Sequence, residues 1–390
     1  MNIPITRPWF DERERAAILE PLAAGWVVQG PKVEAFERGI AAFTGARAAC
    51  ATTSCTTALH LALHACGVGP GDEVIVPAFT FVATANVVEQ LGARPVFVDV
   101  EPDTFNLDPA RIPAVLTPRT RAIVPVHLFG LAADLDPILA LARKRGLRVV
   151  EDAACAIGCF RGDRHVGTSG DAGCFSFHPR KSITTGEGGM VLTSDPELDR
   201  RIRVLRDHGG AVSDRARHAA GVPLLPDYDV CGFNFRMTDL QGALGLAQLD
   251  KLPVILERKR ALADRYARLL SGLSWLRLPS TPPGDRHGWQ AYVTLFAPEP
   301  PEKQDPAGID RLHARRNRLM AGLQARGIAT RQGTHAVHVL GYYARKYGLG
   351  AADFPNAWIA DRLSLALPLY PQMTEAEQDA VVQALREAAP

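Results

Sequence analysis

Between about residues 46 and 206 the chain alternates between short runs of apolar, β-branched residues and longer stretches of helical pattern. The runs are Glu73–Val76, Pro95–Val98, Ala122–Val126 and Leu147–Val150, and the helical stretches are Thr56–Ala65, Val82–Gln90 and Asp134–Arg145. Strands this apolar have both faces buried, which predicts a mostly parallel sheet covered by helices on each side. In such a sheet ligands collect beyond the carboxyl ends of the strands. Two helices, Asp239–Asp250 and Val254–Leu270, follow, the second amphipathic and rich in Arg and Glu. Beyond them come the proline-rich stretch 279–283, a strand at Gln290–Phe296, a surface loop at Pro298–Pro306, a basic helix at Asp310–Arg326 and a closing helix at Thr374–Ala388. The pattern predicts an α/β protein with a large domain, residues 1–250, and a smaller C-terminal α+β domain, residues 251–390.

A chain of 390 residues has ample apolar content for two such cores. Its formal charge of +2, with acids and bases interleaved, offers no basic field for nucleic acid or an anionic membrane. The seven cysteines form no CxxC pair and lie mostly in apolar contexts, which fits a reducing compartment. The first residues lack the apolar core of a signal segment, and no later run reaches about eighteen apolar residues. A soluble, cytoplasmic protein is expected.

The candidate chemistry sits at the strand ends. Asp152 closes the run Leu147–Val150 with Glu151, and Lys181 follows in Phe175-Ser176-Phe177-His178-Pro179-Arg180-Lys181. Most lysines are solvated surface charges, and an aspartate at a strand end often caps a helix or joins a surface pair. Taken together with the hydroxyl-rich stretch Thr52-Thr53-Ser54-Cys55-Thr56-Thr57, which opens an apolar helix, they read differently. An amine can bind an aldehyde, a buried carboxylate can keep a pyridine nitrogen protonated, and a helix start with hydroxyls can hold a phosphate. That set is the requirement of pyridoxal phosphate. The Ser54 stretch is otherwise an ordinary N-cap. Lysine ordinarily titrates near 10.4, so a nucleophilic Lys181 calls for surroundings that disfavour its charge.

Other signals are weaker. His60 and His64 lie one helical turn apart without an acidic third ligand nearby, so no metal site is expected. The cluster Arg315-Arg316-Asn317-Arg318 reads as a solvated helix face, or else an interface or a contact to a substrate diphosphate. Trp26, Trp289, Tyr342 and Tyr343 either stack on a nucleotide base or fill core.

The order Ser54-Cys55-Thr56-Thr57-Ala58-Leu59, Asp72–Pro77 with Thr80-Phe81, Pro125-Val126-His127-Leu128, Glu151-Asp152-Ala153-Ala154, Phe175–His178 with Lys181, and Gly232-Phe233-Asn234-Phe235-Arg236-Met237 resembles the DegT/StrS family. These are fold type I, pyridoxal phosphate-dependent aminotransferases acting on nucleotide-linked keto sugars and, in some branches, on cyclitols. The resemblance spans about Trp26 to Met373. It implies that Lys181 binds the cofactor aldehyde, Asp152 partners the pyridine nitrogen and Phe81 stacks on the ring. Ser54, Cys55, Thr56 and Ser176 would form the phosphate cup, with Cys155 beside the ring. Asn234 would reach the phosphate of a neighbouring subunit, making a homodimer with shared sites. Trp26, Arg236, Arg331, His338 and Tyr342 would lie near the substrate. The implied reaction moves an amino group from L-glutamate or L-glutamine to a nucleotide keto sugar, with a 4-keto-6-deoxy sugar preferred and an inosose as the rival acceptor. Three departures stand out: Cys55 replaces the usual glycine, Cys155 stands where glutamine is common, and Phe233 and Phe235 replace tyrosines.

Overall fold

A computed structural model describes residues 2–210 and 227–388. Its centre is a seven-stranded sheet of β1 (Ala48–Thr52), β2 (Glu73–Pro77), β3 (Arg94–Val98), β4 (Thr120–Ile123), β5 (Arg148–Asp152), β6 (Ala172–Ser176) and β7 (Gly189–Thr193), in the order β1-β7-β6-β5-β4-β2-β3. The five strands from β6 to β3 run parallel, and β7 lies antiparallel to both β6 and β1. Four of these five parallel strands match the apolar runs expected from the sequence, within three residues at each end, and β7 was not expected. Antiparallel insertion follows because β7 returns from β6 through the loop that carries Lys181, with no crossover helix between them.

Helices α1 (Glu12–Ala24), α2 (Pro31–Thr44), α3 (Cys55–Ala65), α4 (Ala83–Gln90), α5 (Leu135–Arg145) and α6 (Pro196–Arg206) belong to this part. Their starts follow the sequence. Asp11 with Glu14 caps α1, and Ser54 with Thr57 caps α3, each as a reciprocal capping box worth about 1 kcal/mol.

The two helices expected at 239–250 and 254–270 are one, α7 (Asp239–Leu270). Pro253 removes one backbone donor, a loss that commonly breaks a helix. Here Leu252 and Ile255 are held in the core under α2, while Leu262, Tyr266 and Leu270 enter the core of the C-terminal part. Packing on both sides of the proline outweighs the missing bond. The division expected at residue 251 falls inside this helix, where Lys251 pairs with Asp11 and Glu14. We propose that α7 is shared, its first half belonging to the large unit and its second to the small one.

The C-terminal part holds a three-stranded antiparallel sheet of β8 (Leu276–Arg277), β9 (Tyr292–Phe296) and β10 (Ser364–Leu367), with α8 (Pro306–Ala325), α9 (Gly341–Tyr347), α10 (Pro355–Leu363) and α11 (Glu375–Glu387). The surface loop read at 298–306 contains a turn of 3-10 helix whose Pro301 is buried, and Asp305 caps α8 several residues before the expected start. Arg316 corrects the reading of a solvated basic face. It is buried and donates to the Arg362 carbonyl, closing the end of α10. Among the described residues no helix is long and apolar enough to cross a membrane.

Candidate active site

The site forms where the carboxyl ends of β5 and β6 meet the start of α3. Asp152 is only 5% exposed. Its Oδ2 accepts from Thr84 Oγ1 at 2.8 Å and its Oδ1 from the Ala154 amide at 3.2 Å. Thr84 is itself in contact with Thr80 (3.1 Å), so the first turn of α4 is tied to the strand end. Burial holds the Asp152 carboxyl above its ordinary value, although the Thr84 and Ala154 bonds and the charge of Lys181 oppose this. Its neighbour Glu151 points to the other face. There its Oε2 meets His127 Nε2 (2.9 Å) and the Gly167 amide (2.6 Å), and its Oε1 accepts from Ser169 and Gly170, both 2.7 Å. Burial alone would raise Glu151, but His127 and these amides hold it below the ordinary value. Because His127 Nδ1 accepts from the Ala133 amide, Nε2 carries the proton donated to Glu151. Two adjacent carboxylates are thus pushed in opposite directions, Glu151 as a satisfied anchor and Asp152 as one still in want of a cation.

Lys181 faces Asp152 from the β6–β7 loop. Its Nζ lies 3.0 Å from Cys155 Sγ. Burial opposes charge on this amine, yet Cys155, Cys55 and Asp152 more than offset it, and Lys181 is held above its ordinary value. The expectation of surroundings that disfavour its charge is therefore not met, because thiols and a carboxylate line the place where the amine sits. Cys155, expected beside the cofactor ring, meets the lysine itself.

Ser54 caps α3 by accepting from the Thr57 amide (3.2 Å), and the next two amides, of Cys55 and Thr56, have no acceptor within the helix. Cys55 turns its Sγ inward to the Cys174 carbonyl (3.7 Å), so the replacement of glycine puts bulk under the helix rather than above it. Ser176 lies opposite Gly189 across β6 and β7. A Cβ on Gly189 would stand 2.3 Å from the Ser54 backbone, so only glycine lets β7 pass beneath this corner. Phe81, just before α4, is 62% exposed, an apolar ring left uncovered beside the strand ends.

Asn234 is exposed between two anchored residues. The amides of Phe233 and Phe235 donate to the Leu205 and Arg206 carbonyls, and Phe235 in turn accepts from the Thr53 amide. The rings of Phe233 and Phe235 stack at 4.9 Å and pack against His60 and His64, so the two histidines belong to an aromatic cluster. Arg236 pairs with Asp207. Arg331 is held below its ordinary value by burial and then by the charge of Arg180. Trp26 is half-buried, its indole donating to the Gln29 carbonyl (3.2 Å). Two expected substrate residues lie elsewhere. His338 is fully buried against Phe354, and Tyr342 stands with Lys346 around Glu89, at the far end of α4 from Thr84. Sequence reasoning missed Thr84, whose signal was a hydroxyl in the first turn of the helix after Phe81.

A family model described as the DegT/DnrJ/EryC1/StrS aminotransferase family matches residues 8–386. The chain belongs to this family. It is 40% identical over 386 residues to the spore coat polysaccharide biosynthesis protein SpsC of Bacillus subtilis, covering 99% of this chain and 96% of that protein. Among solved structures it resembles DesV of S. venezuelae, determined with a ketimine intermediate (33% identity, TM-score 0.87, covering 100% of this chain and 98% of that one). It also resembles the PLP form of Spr1654 from Streptococcus pneumoniae (28% identity, TM-score 0.89, covering 100% and 99%). The protein is a pyridoxal phosphate-dependent sugar aminotransferase of the DegT/DnrJ/EryC1/StrS family. Its own residues fit that cofactor. A buried carboxylate kept above its usual range stands ready for a pyridinium, a partly buried amine lies beside it, and a helix start with unpaired amides lies next to Ser176.

Proposed function

We propose that this enzyme transfers the amino group of L-glutamate, or of L-glutamine, to the ketone of a nucleotide-diphosphate sugar, with a 4-keto-6-deoxy sugar as the first choice. The observation carrying this reading is Arg331, which burial and then the positive charge of Arg180, the residue before Lys181, hold below its ordinary value. A donor carboxylate or a substrate diphosphate relieves that repulsion. An inosose carries no anion, and serves as the rival acceptor. The name of SpsC favours a polysaccharide sugar, and the seven free cysteines suit the cytoplasm.

Bound pyridoxal phosphate supplies the electron sink for the carbanion formed at the donor Cα. Asp152 holds the proton on the pyridine nitrogen. With the cofactor bound, Lys181 Nζ would be the base that takes the proton from the donor Cα and the acid that returns one when the acceptor is aminated. Ser54, Thr56, Ser176 and the first amides of α3 would hold the phosphate, and Phe81 would pack on the ring. Adding glutamate should remove the visible cofactor band, and only the true acceptor should restore it. Restoration by a nucleotide keto sugar supports this reading; restoration by an inosose replaces it.

A homodimer with shared sites belongs to the same proposal. Asn234 projects outward, and the exposed Tyr228 and Val230 precede it, while Val27 and Val28 present apolar surface next to the Asp239 amide. Asn234→Ala is expected to weaken cofactor affinity about tenfold, the loss of one hydrogen bond to a charged group, without changing the oligomer. Equilibrium dialysis with sedimentation checks this, and a monomer with full cofactor affinity would refute it.

A further inference from the structure

Lys259 lies on α7, outside every motif that pointed to the active site, and is 2% exposed. Among the described residues its ammonium meets no carboxylate. It donates instead to Gln290 O (3.1 Å) and Ser182 Oγ (3.3 Å). Gln290 then reaches back, its Nε2 donating to the Arg180 carbonyl at 2.9 Å, while its backbone amide is fixed to Phe129 O at 3.0 Å. Arg180 and Ser182 flank Lys181 on either side. The segment behind this bracket is itself constrained. Trp289 and Phe129 both adopt left-handed backbone, at φ 45° and 58°, and the His287 ring stacks on Trp289 at 3.8 Å.

A buried ammonium without a counter-charge lowers stability, and an apolar side chain in its place commonly restores it. Its retention therefore calls for another reason, and both of its bonds lead to the loop of the reacting lysine. We propose that Lys259 is a positioning residue for the amino-transfer reaction, bracketing Lys181 through Ser182 on one side and through Gln290 and Arg180 on the other. The proposal rests on Lys181 being the reacting amine. Through this bracket the C-terminal unit fixes the angle at which Nζ meets the donor Cα, so a small-unit displacement reaches the chemistry without touching the substrate.

Burial, opposed by Cys155 and aided by the charge of Lys181, brings the Lys259 amine down to about 7. His287, the other titratable group facing it, is driven to about 3 by burial and then by the Lys259 charge, and stays neutral. Because the unfolded chain keeps its proton to higher pH, stability due to this residue rises as pH climbs from about 7 toward the ordinary lysine range.

The test uses Lys259→Met, which keeps the length and removes the donors. The expected protein unfolds no earlier than the parent and loses the rise of stability with pH. Its kcat falls about ten- to a hundredfold with KM for the donor within about twofold. In the cofactor-free protein, amide exchange at 180–182 should become about tenfold faster. Parental kcat and parental exchange at these amides would overturn the proposal, as would a loss of activity explained by lowered global stability. Should Lys259→Met fail to fold, Gln290→Ala cuts the Arg180 arm alone, and the same local rise in exchange is expected; unchanged exchange there overturns the bracket. Exchange in the cofactor-free protein does not depend on donor or acceptor, so an error in the substrate assignment leaves this readout intact.

Discussion

Lys181→Ala is expected to leave a folded protein that turns over at least about 10⁴-fold more slowly, because the proposed mechanism makes one residue both bind the cofactor aldehyde and move the proton. The fold should survive. Nζ makes its hydrogen bond to Cys155 Sγ, while the loop is held by other groups: Lys181 N to His178 O (2.8 Å), Thr185 N to Phe177 O (3.0 Å) and Thr184 Oγ1 to Phe177 O (2.7 Å). Circular dichroism should match the parent, and no lysine-linked cofactor should be recovered after borohydride reduction and peptide mapping. Turnover within about tenfold of the parent would remove Lys181 from the chemistry. A variant at Cys155 separates the two roles of the pocket. Without the neighbouring thiol Lys181 loses the contact that raises its affinity for a proton, while Asp152 and the loop remain in place.

How much of this was legible depends on the distance over which each feature is determined. The parallel strands and the caps of α1 and α3 are local, set by apolar runs and by a hydroxyl or carboxylate three residues from its partner, and the sequence shows them. Asp152, Lys181 and Ser176 could be assembled because Asp152 and Ser176 end strands of one sheet and Lys181 lies in the loop that leaves the second of them, where topology alone brings such ends together. The remainder is long-range. Nothing near Pro253 says that α2 and the C-terminal core will grip the helix on both sides of it. Arg316 looks like its charged neighbours until the Arg362 carbonyl is found beneath it. His338 lies two residues from the short strand His335–Ala336 that pairs with Phe79–Thr80, close enough in sequence to invite a role at the site, yet its ring turns into the core against Phe354. Lys259 reads as one more cation on an amphipathic helix, because the acceptors that give it meaning come from residues 182 and 290.

Asp152→Asn carries the second large effect, and it separates function from stability by sign. Asparagine keeps the size of the side chain, and its Oδ1 can still accept from the Ala154 amide while its Nδ2 donates to the Thr84 hydroxyl, so the strand end should keep its shape. What disappears is the negative charge proposed to hold a proton on the pyridine nitrogen, and with it preorganised stabilisation of charge in a dry site. A loss of about 10²–10³ in kcat follows, about 3–4 kcal/mol. In the cofactor-free protein the substitution acts the other way. Burial raises the Asp152 carboxyl above its unfolded value, so the folded chain binds a proton that the unfolded chain has already released, and stability falls as pH rises through that window. Above it the buried charge is a standing cost. Asp152→Asn should therefore raise the melting temperature of the cofactor-free protein at neutral pH, and the gain should vanish as pH falls below the ordinary aspartate range. Adding pyridoxal phosphate should narrow or reverse the difference, since only the parent offers the cofactor its counter-charge. Melting curves with and without cofactor, taken beside rates at each pH, decide the matter. An unchanged rate would assign the pyridine proton to another acid, and a melting temperature that falls at neutral pH would mean that Thr84 and Ala154 already satisfy this carboxylate as a structural anchor.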